Sequence, residues 1–248
     1  MSRAYRWLCI LMILLWSGCG WNHARKVTSV AEQITWLKSS HPYGSTCIQL
    51  KTDDLVLYLD PVDLVCSDDL PPADIILISH VHSDHFSPRT IAKLSMSNTV
   101  VLCSDTSAVT DSLQGMRFLT LSAGEKVEVK GLHFDVVAAQ GSAYHDSDLR
   151  GIGFLFALDE VRIYLSGDTG LNSEVQKLRD IDIAVLNVRN PYCLTGKDVV
   201  RFAEMCKPQI IIPNHWMPDD DSYGDRAEIE YIRKNIAPDV EFRVLDPK

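Results

Sequence analysis

The sequence predicts an α/β protein in which two packed β-sheets carry helices on their outer faces. Two observations along the chain predict it: short strand-like apolar runs first follow one another in a meander and then alternate with helical stretches, and this progression occurs twice. Composition is the third, since 46% hydrophobic and 23% charged residues over 248 positions fit a globular core. Propensity by itself leaves other α/β arrangements open. The sequence shows no internal repeat and no low-complexity tract.

Each element has a local reason. Ile34–Leu37, Cys47–Leu50, Leu55–Leu59, Ile75–Ser79 and Val100–Cys103 are short apolar runs separated by turn residues, which reads as strands. Ser87-Pro88 opens a helix through Leu94, with Ser as the cap and Pro at the first helical position, where its missing N–H costs nothing. A second helix is expected over Thr106–Leu113. Glu125–Lys130 alternates polar and apolar residues, and Leu132–Ala138, Gly153–Leu158 and Val161–Leu165 follow as strands, with turns at Ala123-Gly124 and Asp159-Glu160 that suit hairpins or a meander. Ile183–Val188 reads as a buried strand and Thr195–Cys206 as a helix opened by the box-like Thr195-Gly196-Lys197-Asp198. Gln209–Pro213 is a further strand, Asp225–Asn235 a final helix and Phe242–Leu245 a final strand.

The N-terminus departs from this texture. Arg3 and Arg6 precede the apolar run Trp7–Trp16, too short to span a bilayer comfortably, which is the anatomy of a signal peptide. Ser17-Gly18-Cys19 resembles the end of a bacterial lipobox, although Trp16 stands where Leu is usual. The expected organisation is a lipoprotein-type signal peptide over residues 1–18, a polar, aperiodic tether over 19–32 and one domain over 33–248. Cys19 is the candidate lipidation site. The expected location is exported and membrane-anchored, on the periplasmic or cell-surface side, held by an N-terminal lipid or a retained signal anchor.

Removing residues 1–18 takes away two basic residues, leaving 22 Lys+Arg against 33 Asp+Glu, so the formal charge moves from −9 to −11. That surface repels nucleic-acid backbones, and no basic stripe or aromatic platform offsets it, so nucleic acid is not an expected partner. Seven cysteines at 9, 19, 47, 66, 103, 193 and 206 form an odd, widely spaced set rather than a disulfide framework; Cys47 and Cys103 read as small buried apolar residues.

The strongest chemical signal is His80-Val81-His82-Ser83-Asp84-His85, four metal-ligand side chains within six residues, directly after a strand. On an extended segment His80 and His82 share a face and can converge on one ion, while a turn at Ser83 aims Asp84 and His85 at a second. Imidazole with carboxylate suits zinc, iron or manganese, and there is no CxxC pair to suggest a structural thiolate site. His145, Asp168 in Ser166-Gly167-Asp168-Thr169-Gly170, and His215 in Pro213-Asn214-His215-Trp216 lie in loops or at strand ends, where α/β sheets gather their sites. His133 and His23 read as structural or solvated.

Together these residues resemble the metallo-β-lactamase superfamily, over roughly residues 33–248. Finer phrases, among them Leu59-Asp60-Pro61, Ala73–His80 and Lys207-Pro208 leading to Pro213-Asn214-His215, are similar to its small metal-dependent hydrolase branch, which includes ascorbate-6-phosphate lactonase-like enzymes and is akin to N-acyl phosphatidylethanolamine phospholipase D. The resemblance implies a four-layer αββα sandwich of two mixed sheets. It also implies that His80, His82 and His145 hold one metal, Asp84, His85 and His215 a second, and that Asp168 bridges them. The chain departs from the branch where a Gly-His-Ala/Ser-Ser phrase is usual, reading Ser39-Ser40-His41-Pro42 instead.

The implied cofactor is two divalent ions, most readily Zn2+ with Mn2+ or Fe2+ as alternatives. Two such ions about 3.5–4 Å apart can lower the pKa of a shared water towards about 7 and stabilise both oxygens of a displacement, so the nucleophile would be a metal-bound hydroxide. No protein nucleophile is signalled, because the G-x-S-x-G elbow is missing. Asp84 is the candidate catalytic acid–base as well as a ligand, and His41, Tyr43 and Tyr192 are candidate substrate contacts. The expected activity is metal-dependent hydrolysis of a small phosphoester or a phosphate-bearing lactone or ester. The alternatives are a phospholipase-D-like phosphodiesterase on membrane lipids and, in another class, a zinc-binding protein without turnover.

Overall fold

Alternation along the strands decides the layering. The computed structural model describes residues 22–44, 46–65, 67–105, 113–142, 150–218 and 224–248. Residues 22–32 are helical (α1). Six strands then build the first sheet in chain order: β1 (Ile34–Trp36), β2 (Ile48–Lys51), β3 (Val56–Leu59), β4 (Ala73–Ile78), β5 (Ser95–Cys103) and β6 (Arg117–Thr120), with α2 (Pro88–Leu94) between β4 and β5. The second sheet has the order β13-β12-β11-β10-β9-β8-β7, formed by β7 (Lys126–Val129), β8 (Leu132–Ala138), β9 (Ile152–Leu158), β10 (Val161–Leu165), β11 (Ile183–Asn187), β12 (Ile210–Asn214) and β13 (Glu241–Phe242). Helix α3 (Gly196–Cys206) connects β11 to β12, and α4 (Asp225–Asn235) precedes β13. Both sheets are mixed: β3 to β6 pair in parallel in one and β10 to β13 in the other, and the remaining pairs are antiparallel.

Side chains at alternate positions sort into three apolar clusters. Leu57, Leu59, Ile75, Leu77, Val100 and Leu102 of the first sheet share one buried cluster with Phe134, Phe154, Phe156, Ile163, Val185 and Ile212 of the second. The intervening residues face the other way. Tyr58, Ile76, Ile78 and Val101 cluster with Ile91 and Leu94 of α2, and Tyr164, Ala184, Leu186 and Ile211 cluster with Val199 and Phe202 of α3 and Ile229 and Ile232 of α4. The result is the expected sandwich, with helices outside two sheets and the parallel strands buried on both faces. The helix starts follow the sequence signals: Ser87 accepts the Thr90 N–H, and Thr195 with Asp198 forms a complete capping box.

Phe134 anchors the core between the sheets, fully buried, with ring centroids 5.1 Å from Phe156 and 6.4 Å from Phe154. Its truncation removes those contacts and leaves a cavity in a region held from both sides. Phe134→Ala is therefore expected to cost about 3–5 kcal/mol, read from urea unfolding followed by far-ultraviolet circular dichroism.

Several expectations need correction. The segment read as an aperiodic tether is helical over 22–32, and Val27, Val30 and Ala31, spaced i, i+3 and i+4, are buried in the cluster between the sheets. Three small apolar residues among polar ones made that stripe easy to miss. His23 is correspondingly placed, its Nε2 2.8 Å from Asp182 Oδ1. Ala123-Gly124 does not close a hairpin, because β6 and β7 belong to different sheets. The hairpin falls instead at Lys130-Gly131, both at positive φ, joining the paired β7 and β8. The last strand is Glu241–Phe242, shorter than expected. Cys47, Cys103, Cys193 and Cys206 are free and buried. The signal segment, Cys19, His145 and all but the last residue of the helix expected over Thr106–Leu113 lie outside the described residues.

Candidate metal centre

The C-terminal ends of β3, β4, β10, β11 and β12 supply the site. Parallel strands end at the same edge, so Asp60 after β3, His80 to His85 after β4, Asp168 after β10, and His215 after β12 are brought together across the two sheets. A hydrogen bond from the Ile152 N–H to the Ser79 carbonyl, 2.9 Å, ties β9 to the first sheet at this edge. Gly167, at φ +60, lets the turn before Asp168 pass close: a Cβ there would lie 2.7 Å from Ile152 O and 2.9 Å from the Ser79 Cβ.

Two histidines are oriented by one buried relay. Asp60, fully buried, accepts the Ser79 N–H and hydroxyl at 2.7 Å each and His85 Nδ1 at 2.8 Å. Because the carboxylate only accepts, His85 carries a proton on Nδ1, and its Nε2 points inward, where a cation would take the place of a second proton. The Ser79 hydroxyl donates its hydrogen bond to Asp60, so its oxygen, 3.0 Å from His80 Nδ1, accepts there, and the lone pair of His80 falls on Nε2. His80 Nε2 faces His82 Nδ1 at 3.0 Å.

The ligand atoms form three compact groups, each within 4.8 Å: His80, His85 and Asp168; Asp84, His85 and His215; and Asp168, Cys193 and His215. Asp168 Oδ2 lies 3.2 Å from His85 Nε2 and 3.5 Å from His215 Nε2, while Asp84 Oδ2 lies 3.6 Å from His215 Nε2 and 3.9 Å from His85 Nε2. The other oxygen of Asp168 accepts from Asn187 Nδ2 at 2.7 Å. Asn187 and Asn214, register partners at the ends of β11 and β12, are joined by a 2.9 Å hydrogen bond, and Asn214 also donates to the Thr46 carbonyl. His215 follows at φ 62, a left-handed conformation that turns its ring back to the cluster at some strain.

The electrostatics call for positive charge between these groups. Burial alone would push the Asp168 carboxyl up, yet the flanking His85 and His215 outweigh it and hold it well below the usual carboxylate range. Burial opposes a charged His85 in turn, but Asp168 and Asp60 hold its imidazole well above the ordinary value. Asp84 behaves as Asp168 does, its burial offset by His85 and His215, and its carboxyl is lowered. His85 Nε2 is buried with no aligned hydrogen-bond partner. An oriented, orphaned imidazole nitrogen among ionised carboxylates fits a divalent cation, and the imidazole and carboxylate donors suit zinc, iron or manganese.

His80, Asp84, His85, Asp168 and His215 all stand in the three groups, whereas His82 belongs to none of them and touches the centre through His80. The substrate candidates stand outside the three ligand groups. The Tyr43 N–H donates to His41 Nδ1 at 3.3 Å, the two rings are 5.5 Å apart, and Tyr43 is exposed. The Tyr43 carbonyl accepts from Arg189 Nη1 at 2.7 Å, and Arg189, itself buried, donates through Nε to the buried Asp225 at 3.3 Å. This pairing straps the His41–Tyr43 loop to the segment after β11. Tyr192 is half-buried, one residue before Cys193.

Four residues escaped the sequence reading. Asp60 lies in the strand-end phrase Leu59-Asp60-Pro61, a polar residue after a buried strand, which was a usable signal. Asn187 and Asn214 gave one only as polar ends of apolar runs. Nothing local marked Cys193. Burial, and after it the carboxylate of Asp168, keep the Cys193 thiol well above its ordinary value in the absence of a cation.

Known proteins place the chain. A metal-dependent hydrolase of the UPF0173 group from Listeria monocytogenes is 24% identical over 191 residues, covering 70% of this chain and 83% of its own. Another from Methanopyrus kandleri is 22% identical over 243 residues, covering 87% and 97%. The crystal structure of a protein assigned as a metal-dependent hydrolase from Parabacteroides distasonis superposes with a TM-score of 0.69 and 26% identity, over 87% of this chain and 93% of that one. The family model of the β-lactamase superfamily domain matches residues 33–215, and the chain belongs to that family.

Proposed function

We propose that this chain, a metal-dependent hydrolase of the β-lactamase superfamily, uses two divalent cations to hydrolyse small phosphoesters or phosphate-bearing lactones and esters. The observation that carries the reading is the position of Asp168, a buried carboxylate shared between the group containing His80 and His85 and the group containing His215. His80 and His82, with His145, which falls between β8 and β9 in the sequence and outside the described residues, would hold one cation; Asp84, His85 and His215 would hold the other. When bound, such a pair supplies Lewis acidity and water of lowered pKa.

The chain's own residues do the rest. Asp60 and Ser79 fix which nitrogens face inward, and Asn187 fixes the rotation of Asp168. The side chain of Asp84 retains 17% exposure, against 3% for Asp168, so its carboxylate reaches the open side of the centre. Held ionised, Asp84 can accept a proton at Oδ2 during attack and return it to the leaving group. With a net charge of −9, long-range steering of an anion is unfavourable, and capture falls to the centre itself. Membrane phosphodiesters are a second substrate class, favoured by the apolar segment that ends at Ser17-Gly18-Cys19 and by the export and lipid anchoring it would direct.

The test is a substrate panel on fully metallated protein: a bis-aryl phosphate, a phosphorylated lactone, phospholipid vesicles, RNA and a chromogenic cephalosporin. Chelator-sensitive hydrolysis of the bis-aryl phosphate is expected, with zinc or manganese restoring activity and with little turnover of cephalosporin or RNA. Efficient cephalosporin turnover without phosphoesterase activity would overturn the substrate class. Inactivity across the panel with metal bound would point to zinc storage without turnover.

A further inference from the structure

Cys193 sets a thiol against the ligand groups of the centre. It is 3% exposed, and its Sγ shares a 4.8 Å group with a carboxylate oxygen of Asp168 and an imidazole nitrogen of His215. The backbone on both sides is fixed: the Cys193 N–H donates to the Arg189 carbonyl at 2.6 Å, and Leu194 forms a bridge with Val188, whose N–H donates to the Asn214 carbonyl at 2.9 Å. Cys193 is therefore pinned to the strand ends that present Asp168 and His215. Two other buried thiols show the contrast. Cys103 Sγ lies 3.9 Å from the Leu119 carbonyl and Cys206 Sγ 3.1 Å from the Leu178 carbonyl, and neither joins a ligand group among the described residues.

A second observation is independent of the cysteine. His85 is fully buried, its Nδ1 is committed to Asp60, and its Nε2 has no aligned partner while pointing at Asp168, 3.2 Å away, with its ring 5.0 Å from that of His215. The same space is thus bordered by an orphaned nitrogen, two carboxylates, a second imidazole and a thiol.

We propose that Cys193 is a thiolate ligand of the cation held by Asp168 and His215. The inference rests on the metal-centre reading above and adds a donor to it. As the Sγ–metal bond forms, the S–H bond breaks heterolytically: sulfur keeps the electron pair, the proton leaves to solvent, and nothing is oxidised or reduced. A soft, anionic donor biases the site towards zinc, cobalt or iron over magnesium and manganese.

The experiment is a cobalt(II) titration of the metal-stripped full chain, read by absorption. Visible ligand-field bands report binding by any donors, whereas an intense near-ultraviolet charge-transfer band reports a thiolate on the metal. The expected result is both sets of bands in the wild-type protein and in Cys103→Ser and Cys206→Ser, with loss of the charge-transfer band alone in Cys193→Ser. Ligand-field bands without charge transfer in the wild type would overturn the proposal and leave the metal centre standing. Persistence of the band in Cys193→Ser would overturn it too, by assigning the thiolate to another cysteine. Absence of every cobalt band would remove the centre and the proposal together. Should Cys193→Ser fail to fold, Cys193→Ala takes its place, and X-ray absorption of the zinc-loaded wild type must show sulfur at about 2.3 Å, failing which the proposal falls.

Discussion

Asp168→Ala is expected to lower the metal content of the purified protein from the two ions per chain proposed above to less than about one, and to reduce chelator-sensitive hydrolysis by about a thousandfold or more. The size follows from what the residue touches. Among the described residues Asp168 Oδ2 is the nearest carboxylate oxygen to both His85 Nε2 and His215 Nε2, at 3.2 and 3.5 Å, and the residue belongs to two of the three ligand groups. Removing a shared anion weakens both cation positions at once, and losing Lewis-acid stabilisation worth several kcal/mol converts to at least three powers of ten in rate. His82→Ala is the contrast: it contacts the cluster through His80 and should lose one ion while retaining the other. Metal analysis by mass spectrometry, alongside circular dichroism to show that the fold persists, decides the matter. Equal metal content in Asp168→Ala and wild type would remove Asp168 from the centre. Stability should fall as well, because the metal-free variant deprives the buried imidazoles of His85 and His215 of their nearer carboxylate and leaves Asp60 and Asp84 as the remaining counter-charges, so the loss should stay below about 3–5 kcal/mol, the cost of deleting the sole partner of a buried pair.

How much of this was legible in the sequence depends on the range of the interaction. The strands were readable because burial on two faces forces continuous apolar runs such as Ile75–Ile78 and Ile183–Leu186, and the helix starts because Ser87 and Thr195 satisfy backbone donors within their own first turn. The His80–His85 run was readable since chemistry is concentrated in six residues. Pairing across sheets was not: Ala123-Gly124 has the composition of a hairpin turn and serves as a crossing between layers, a choice made by the register of distant strands. Helix α1 was missed for a related reason. Its stripe of Val27, Val30 and Ala31 is too thin to stand out from polar neighbours, and it is helical because the core offers it a surface. Cys193 belongs to the same class, a residue whose meaning comes from Asp168, 25 positions earlier, and His215, 22 positions later.

Asp60→Asn is expected to weaken metal binding by about 10- to 100-fold although Asp60 itself stands outside the ligand groups. The wild-type carboxylate accepts three hydrogen bonds, from the Ser79 N–H, the Ser79 hydroxyl and His85 Nδ1. An amide of the same shape has one accepting oxygen. If that oxygen keeps the Ser79 N–H, the amide nitrogen faces His85 Nδ1 and donates to it, which drives the imidazole proton onto Nε2 and removes the lone pair the cation needs. The same nitrogen would also face the Ser79 hydroxyl, which could then no longer donate there, so the orientation of His80 loosens too. If the amide flips to keep the contact with His85, it meets the Ser79 N–H donor with a donor of its own, and a buried clash of that kind costs about 1–3 kcal/mol. Either arrangement damages the centre without changing its volume, so the substitution separates orientation from packing. Competition against a chromogenic chelator measures the affinity, and urea unfolding of the metal-free protein measures the cost to the fold. Unchanged affinity in Asp60→Asn would mean that His85 takes its tautomer from the cation alone and that the Asp60–Ser79 relay serves only to join the ends of β3 and β4.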